Sequence, residues 1–397
     1  MSLPRDVNAM LTQVGKGTPC GELLRRYWMP VCPAAEITAE RPKKRLRLLG
    51  EDLVLFRDGS GRYGLLPERC PHRHASLAFG FVEEDGLRCA YHGWKFDVEG
   101  ACVEQPFEPP GSKLKALAGR PHYPVQQLAG LLFAYLGPAP APLLPRWETL
   151  VRRDGTRTIN VLPLHHANWV QAQENSHDPV HTYYLHGRML KEQGQEEKFR
   201  AEIAYYMRPI EEFSFSLCRE PAWTGIRKVR VYGGERPERE LGHPAIFPNI
   251  LIAPQGMRIG THFRVPVDDE HTYIIMVEFT PTADGSEVAQ PDGEIPVTYL
   301  PHPLRPDGGY DLTRFEYQDL MAWETQGPVF DRSEELLGAS DRGITMFRTL
   351  LREQIDLVRD GGEPAGVLRD PALNDVITFT LHGGTAKLAR ELQARQA

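Results

Sequence analysis

Two short segments in the first hundred residues carry donors that could hold metal. Cys70-Pro71-His72 and Cys89-Ala90-Tyr91-His92 form a C-x-H and a C-x-x-H, with sixteen residues between them. Two thiolates and two imidazoles suit either of two centres. A single zinc would draw all four into one tetrahedron. A two-iron, two-sulfide cluster would put both cysteines on one iron and both histidines on the other. A chance match to this pattern is roughly a 2% event in a chain with this much histidine. His74, two residues past His72, reads as a loop residue. Cys20, Cys32, Cys102 and Cys218 have no metal-type partner in sequence and read as small buried hydrophobes.

A second constellation lies further on. Asp178-Pro179-Val180-His181 is followed by His186, giving D-x-x-H-x-x-x-x-H. Two neutral imidazoles and one carboxylate leave open positions on Fe(II), which oxygen-activating non-haem iron needs. On an ideal α-helix, residues five apart sit about 140° apart. Either the helix is interrupted here or the pair binds nothing, and Asp178-Pro179 offers one break, an N-cap followed by proline. The carboxylate is expected from a separate element, so that the metal is held between two. Asp319 is the best candidate, because an unpartnered carboxylate among apolar helix residues is costly. Glu316 and Glu324 compete with it; Asp311 and Asp331 are weaker. His165, His166 and His177 are assigned hydrogen-bonding or capping roles.

The elements that must position these groups follow from the patterning. Residues 1–27 read as a helical segment with Leu11, Val14, Leu23 and Leu24 as apolar points. Residues 28–142 read as a small all-β domain. Arg45–Leu48 and Leu53–Phe56 flank Gly50-Glu51-Asp52 as a hairpin. Pro138-Ala139-Pro140-Ala141-Pro142 is a stiff linker. Residues 143–397 are mixed. Five strands are expected there (212–218, 226–232, 246–253, 257–265 and 273–280), as one antiparallel sheet. Helices are expected over 312–326, stopped by Gly327-Pro328, and over 340–358, ended by Gly361-Gly362. The class is α+β.

Composition narrows the function classes. The chain has 397 residues, 41% hydrophobic and 25% charged, which is ordinary globular composition. Its net charge is −7 and its longest basic run is Lys43-Lys44-Arg45, so a nucleic-acid partner is not expected. No apolar run reaches membrane-spanning length, and the N-terminus lacks a signal core. A cytoplasmic protein is expected, and six cysteines in a chain this long do not make a disulfide scaffold.

Taken together, Cys70-Pro71-His72-Arg73, Tyr91-His92-Gly93-Trp94-Lys95-Phe96 and the Asp178/His181/His186 kernel resemble the Rieske non-haem iron ring-hydroxylating oxygenases, specifically their catalytic α subunits. The likeness runs from about residue 10 to 360. Gly21–Trp28, the Glu174-Asn175 variant of the kernel and Gln326–Arg332 look like the phthalate-dioxygenase-type branch, which also contains O- and N-demethylases. The resemblance implies a Rieske [2Fe-2S] domain followed by a helix-grip catalytic domain with a curved antiparallel sheet. It implies a cluster on Cys70, His72, Cys89 and His92, and a mononuclear Fe(II) on His181, His186 and Asp319. Asp178 would then link His92 of one subunit to His181 of the next, and Asn168 and Asn175 would line the iron pocket or position water.

The implied activity is hydroxylation of an aromatic compound with O2, by ring dihydroxylation or by monooxygenation with O-demethylation. Electrons would come from an NAD(P)H-dependent reductase, and the assembly would be a homotrimer or hexamer. Arg227, Lys228, Arg230, Arg258 and Arg264 on the expected strands offer partners for a substrate carboxylate. The segment 187–198 is either a lid or a solvated loop. Two rivals are a non-enzymatic Rieske electron carrier with a ligand-binding domain and a zinc-stabilised binding protein.

Overall fold

The computed structural model describes residues 3–233, 238–255 and 258–379. Two helices open the chain. Arg5–Thr12 buries Leu11, and Pro19–Leu24 starts with proline in its first turn and with Thr18 as its cap, the hydroxyl accepting from the Gly21 N–H at 3.2 Å. The β region that follows holds three small sheets. Lys43–Leu48, Glu51–Arg57 and Tyr63–Pro67 form the first. Its hairpin turns through Leu49 (φ 49°) and Gly50 (φ 76°), the two left-handed residues that suit the strand twist. Phe81–Glu83, Gly86–Arg88, Lys95–Phe96 and Cys102–Glu104 form the second; Met29–Pro33, Leu131–Ala134 and Val125–Leu128 form the third.

The larger region is built on one eight-stranded sheet. Its order is 210–219, 224–232, 238–246, 250–255, 258–266, 272–281, 155–161 and 297–299. All neighbours are antiparallel except the last pair, where Val297–Tyr299 runs parallel to Gly155–Val161. The expected continuous strand over 246–253 is instead a turn: Ile246 ends one strand and Ile250 begins the next. Pro248 explains this, since it has no N–H to give a ladder. Met257, expected to begin a strand, lies outside the described residues; the strand runs Arg258–Pro266. The helices Trp169–Asn175, Phe315–Glu324 and Arg342–Arg359 complete the region, the last two close to the expected spans.

The two regions share a core. Leu23, Leu24 and Trp28, Leu131–Leu136, Ile275 and Val277 of the sheet, and Leu350, Leu351 and Ile355 of the last long helix belong to one buried apolar cluster. The hairpin tip is tied to the large sheet by Leu49 N–H to Pro266 O (3.1 Å) and Gly50 N–H to Val267 O (2.8 Å). Among the described residues no helix is long and apolar enough to cross a membrane.

Candidate functional site

The C-x-H and C-x-x-H segments fold into two loops of one design. In each, the cysteine N–H donates five residues ahead, Cys70 to Ala75 O (2.9 Å) and Cys89 to Trp94 O (2.8 Å). In each, the N–H four residues on returns to the cysteine carbonyl, from His74 at 2.9 Å and from Gly93 at 3.1 Å. Both returning residues have positive φ, 59° for His74 and 75° for Gly93. His74 is therefore the turn residue of its loop, the counterpart of Gly93. Histidine tolerates this region better than most side chains.

The loops point their cysteines inward and their histidines outward. Cys70 and Cys89 are buried in a second apolar core with Val54, Phe56 and Leu87. His72 is exposed and His92 partly so. The two imidazoles meet at 4.5 Å between ring centroids, and His72 stacks on Trp94 at 4.6 Å and 6°. Burial pushes the Cys70 thiol up to about 11. A thiol so placed ionises only against a cation, which cluster iron supplies.

The second set of donors also converges. Among the described residues, one group of three or more His, Cys, Asp or Glu has ligand atoms all within 4.8 Å of one another: His181, His186 and Asp319. The Cys70, His72, Cys89 and His92 donors are not drawn into such a group, as a zinc tetrahedron would require. The five-residue spacing of the histidines is resolved by local structure. Thr182–Arg188 is a π-helix. Its hydrogen bonds run between residues five apart, which puts His181 and His186 on one face, where an α-helix would spread them. Their rings lie 5.2 Å apart. Asp178 starts the turn, its Oδ1 accepting from Val180 N–H (2.7 Å) and His181 N–H (3.3 Å).

Each ligand has a holder. Gln318 donates its amide to Leu312 O (2.8 Å), which leaves its oxygen to face His186 Nδ1 at 2.9 Å. His186 Nε2 then points to Asp319 Oδ1 at 3.5 Å. Burial lowers the His186 pKa and favours the neutral form that binds metal. Asn175 donates to Asp319 Oδ1 at 3.4 Å. Asp178 Oδ2 lies 3.6 Å from His181 Nδ1. Burial opposes the Asp178 charge, but His181 and the Val180 N–H more than offset it and hold the carboxyl at about 2.

The structure corrects one candidate. Asn168 does not line the iron pocket. Its oxygen caps Trp169–Asn175 by accepting from Val170 N–H at 3.0 Å, and its amide donates to Thr12 O (2.9 Å) and Asp269 O (2.6 Å). Its oxygen serves the helix, and its amide ties that helix start to the first helix and to the turn at Asp269. Of the four competing carboxylates, three are engaged elsewhere, Glu324 with His302 and Tyr310, Asp331 with Arg5, Asp311 with Thr313, and Glu316 is not part of the converging group. His165 is buried beside Trp323, His177 is stacked on Phe347, and His166 lies against His271. In the 187–198 segment, residues 193–198 are largely solvated, beyond a short helix over Met189–Glu192.

The strand cations serve the site's backbone. Lys228 donates to Asp178 O (2.9 Å), Arg230 pairs with Glu240 and reaches Thr182 Oγ1 (3.0 Å), and Arg264 donates to Ala172 O (3.0 Å). Burial brings Lys228 down to about 8. A second network escaped the sequence reading. Glu174 is buried and bound to both Arg332 (2.8 and 2.9 Å) and Arg348 (2.6 Å). Arg348 also pairs with Glu335. The 326–332 motif wraps the same helix: Gln171 donates to Gly327 O (2.9 Å), and Asn168 N–H donates to Pro328 O (2.8 Å). The polar residues of 171–174 and 326–332 were the available signal.

A two-loop Cys/His cluster cradle and a separate His/His/Asp group on one chain define a Rieske protein with a second, oxygen-type iron centre. Comparison with known proteins narrows this. Residues 27–125 match the Rieske [2Fe-2S] domain, and residues 308–385 match the LigXa C-terminal domain like family. The 5,5'-dehydrodivanillate O-demethylase oxygenase subunit of Sphingobium sp. is 39% identical over 96% of this chain and 87% of its own length. The phenoxybenzoate dioxygenase subunit alpha of Ectopseudomonas oleovorans is 37% identical over 92% and 88%. The reduced oxygenase–ferredoxin complex of carbazole 1,9a-dioxygenase shares the fold, with TM-score 0.63 and 20% identity over 91% of this chain and 98% of that one. The chain belongs to the Rieske non-haem iron oxygenases of the phthalate-dioxygenase type. It is an oxidoreductase whose cofactors are a Rieske [2Fe-2S] cluster and a mononuclear iron.

Proposed function

We propose that this chain is the terminal oxygenase of a multicomponent system that hydroxylates an aromatic compound with O2. The target is a ring carbon or a methoxy carbon, the latter releasing formaldehyde. A separate NAD(P)H-dependent reductase supplies the electrons, and the working assembly is a homotrimer or a stack of two. The observation that carries this reading is the convergence of His181, His186 and Asp319 within 4.8 Å. Two imidazoles and one carboxylate leave room for both O2 and substrate. An electron carrier would have no use for such a group. The relatives named above act, by their names, on a dehydrodivanillate and a phenoxybenzoate, both aromatic.

When bound, the cluster supplies single electrons and the mononuclear iron supplies dioxygen activation. The protein's part is to hold and orient. Cys70 and Cys89 hold the cluster from the inside, His72 and His92 from the outside. Trp94 fixes the His72 ring by stacking. Gln318 fixes the His186 tautomer so that Nε2 keeps its lone pair for the metal. Asp178 orients His181 within the chain and reaches His92 of a second copy. Lys228, donating to the Asp178 carbonyl, keeps that turn from moving.

Metal and sulfide analysis of the purified protein is expected to give about three irons and two sulfides per chain. Coupled NAD(P)H consumption and formaldehyde release across an aromatic panel test turnover, and no coupled product from any member overturns the oxygenase reading. Asp178→Asn is expected to keep both metals and lose about ten- to a hundredfold in turnover. Full activity in that variant refutes the orienting role.

A further inference from the structure

The sheet carries a polar pair, His262 and Glu278, that touches no metal ligand. His262 Nε2 lies 3.2 Å from Glu278 Oε1, with Glu278 buried and His262 partly so. The strand leaves space for them. Gly260 is directly across from Glu278, and a Cβ there would sit 2.7 Å from both Glu278 Oε1 and His262 Nε2. The pair therefore occupies the place where any other residue's side chain would begin.

Register decides which way the pair faces. Residues two apart on a strand, and residues paired across strands, share a face. Arg264, two residues past His262, donates to Ala172 O on the helix ahead of the iron ligands. Met276, paired with His262, packs with Leu320 and Trp323 on the Asp319 helix. His262 thus points to the same side as the iron group. Leu251, paired with His262, and Ala253, two residues on, are only partly buried. Leu251, Ala253 and His262 thus leave a partly exposed stretch on the face of the sheet that also carries the iron group.

Resting on the oxygenase reading above, we propose that His262, positioned by Glu278, is the polar anchor of the substrate floor and selects aromatic rings that carry a free hydroxyl. A carboxylate only accepts, so the Nε2–H points to Glu278 and Nδ1 presents a lone pair. Nδ1 has no partner among the described residues and accepts from a phenolic O–H. Glu278 disfavours a second carboxylate beside it. Lys228, Arg230 and Arg264, the inner cations of this face, are already held by Asp178 O, Glu240 and Ala172 O. The anchor therefore differs in kind from the arginine pairing that the basic strand residues suggested.

The test is equilibrium binding to the metal-loaded, oxidised protein, measured by calorimetry without turnover. The probes are guaiacol, veratrole (the same ring with its hydroxyl methylated) and ortho-anisate (the hydroxyl replaced by carboxylate). Guaiacol is expected to bind about tenfold or more tighter than veratrole. His262→Phe is expected to erase that difference, and His262→Gln, whose amide oxygen still accepts, to keep part of it. Glu278→Gln is expected to improve ortho-anisate binding severalfold. Equal Kd for guaiacol and veratrole in the parent protein overturns the proposal, as does a preference that survives His262→Phe. So does failure to bind any of the three, whereas the oxygenase reading stands or falls on the turnover panel.

Discussion

The cluster cradle and the iron group are made in opposite ways. Each cluster loop closes on itself within six residues, through backbone hydrogen bonds internal to the segment. The iron group takes one ligand from a π-helix, one from the residue that starts it, and a third from a helix more than a hundred residues later. Its holders add two more elements: Asn175 comes from Trp169–Asn175 and Lys228 from the sheet, while Gln318 sits beside Asp319 on the third ligand's own helix. One centre is local and repeated; the other exists only when four elements pack. The cradle should therefore tolerate damage to the rest of the molecule, while the iron group should report it.

The sharpest break of that contrast is His186→Ala. It is expected to lose the mononuclear iron and all measurable turnover, with the visible spectrum of the cluster unchanged. Loss of the cluster spectrum would contradict the separation of the two centres. Metal content and absorbance on one sample decide it.

A smaller effect, but one felt at a distance, is expected at Glu174. Glu174→Gln leaves Arg332 and Arg348 buried with reduced counter-charge and should cost about 3–5 kcal/mol, read from urea unfolding of the catalytic region. Burial opposes the Glu174 charge, but the two arginines outweigh it and hold the carboxyl below its usual range. A depressed folded pKa contributes stability that is present above the unfolded value of about 4.3 and is lost as pH falls through the folded value. The parent protein should therefore loosen around the iron group in acid, and the Gln variant should show a flatter acid limb. An unchanged acid limb would remove Glu174 from the account.

The smallest effect concerns the cradle alone. His74→Gly removes a left-handed non-glycine residue and should change stability by no more than about 1 kcal/mol, with the cluster spectrum intact. Gly93→Ala should cost about 1–2 kcal/mol, since φ is 75° there and Pro106 Cγ lies 3.2 Å from the new Cβ. Thermal unfolding of the two variants side by side would show whether the loops are equivalent. Loss of the cluster in His74→Gly would mean that the imidazole itself contributes.

How far the sequence could be read follows the same division. The hairpin at 45–56 was visible because glycine at a turn and alternating strands are short-range signals, and the helices near 315 and 342 because glycine and proline end them. The strand over 246–253 was misread because its apolar run hides the turn at Pro248. Asn168 was misassigned because asparagine before a helix serves equally as cap or as pocket residue, and only its three hydrogen bonds distinguish the two. Lys228, Arg230 and Arg264 could be counted as free cations until their carbonyl and carboxylate partners were in view.

The amino-acid sequence by itself determined the donor chemistry: two Cys/His loops for a cluster, and a histidine pair whose five-residue spacing an α-helix cannot use. Tertiary structure alone decided that the histidine segment winds as a π-helix and that Asp319, among five carboxylates, faces it. It alone decided that the basic strand residues brace the site. These outcomes depend on which helix packs over which strand, and that is set by burial shared across the whole core, a quantity no short window of sequence contains.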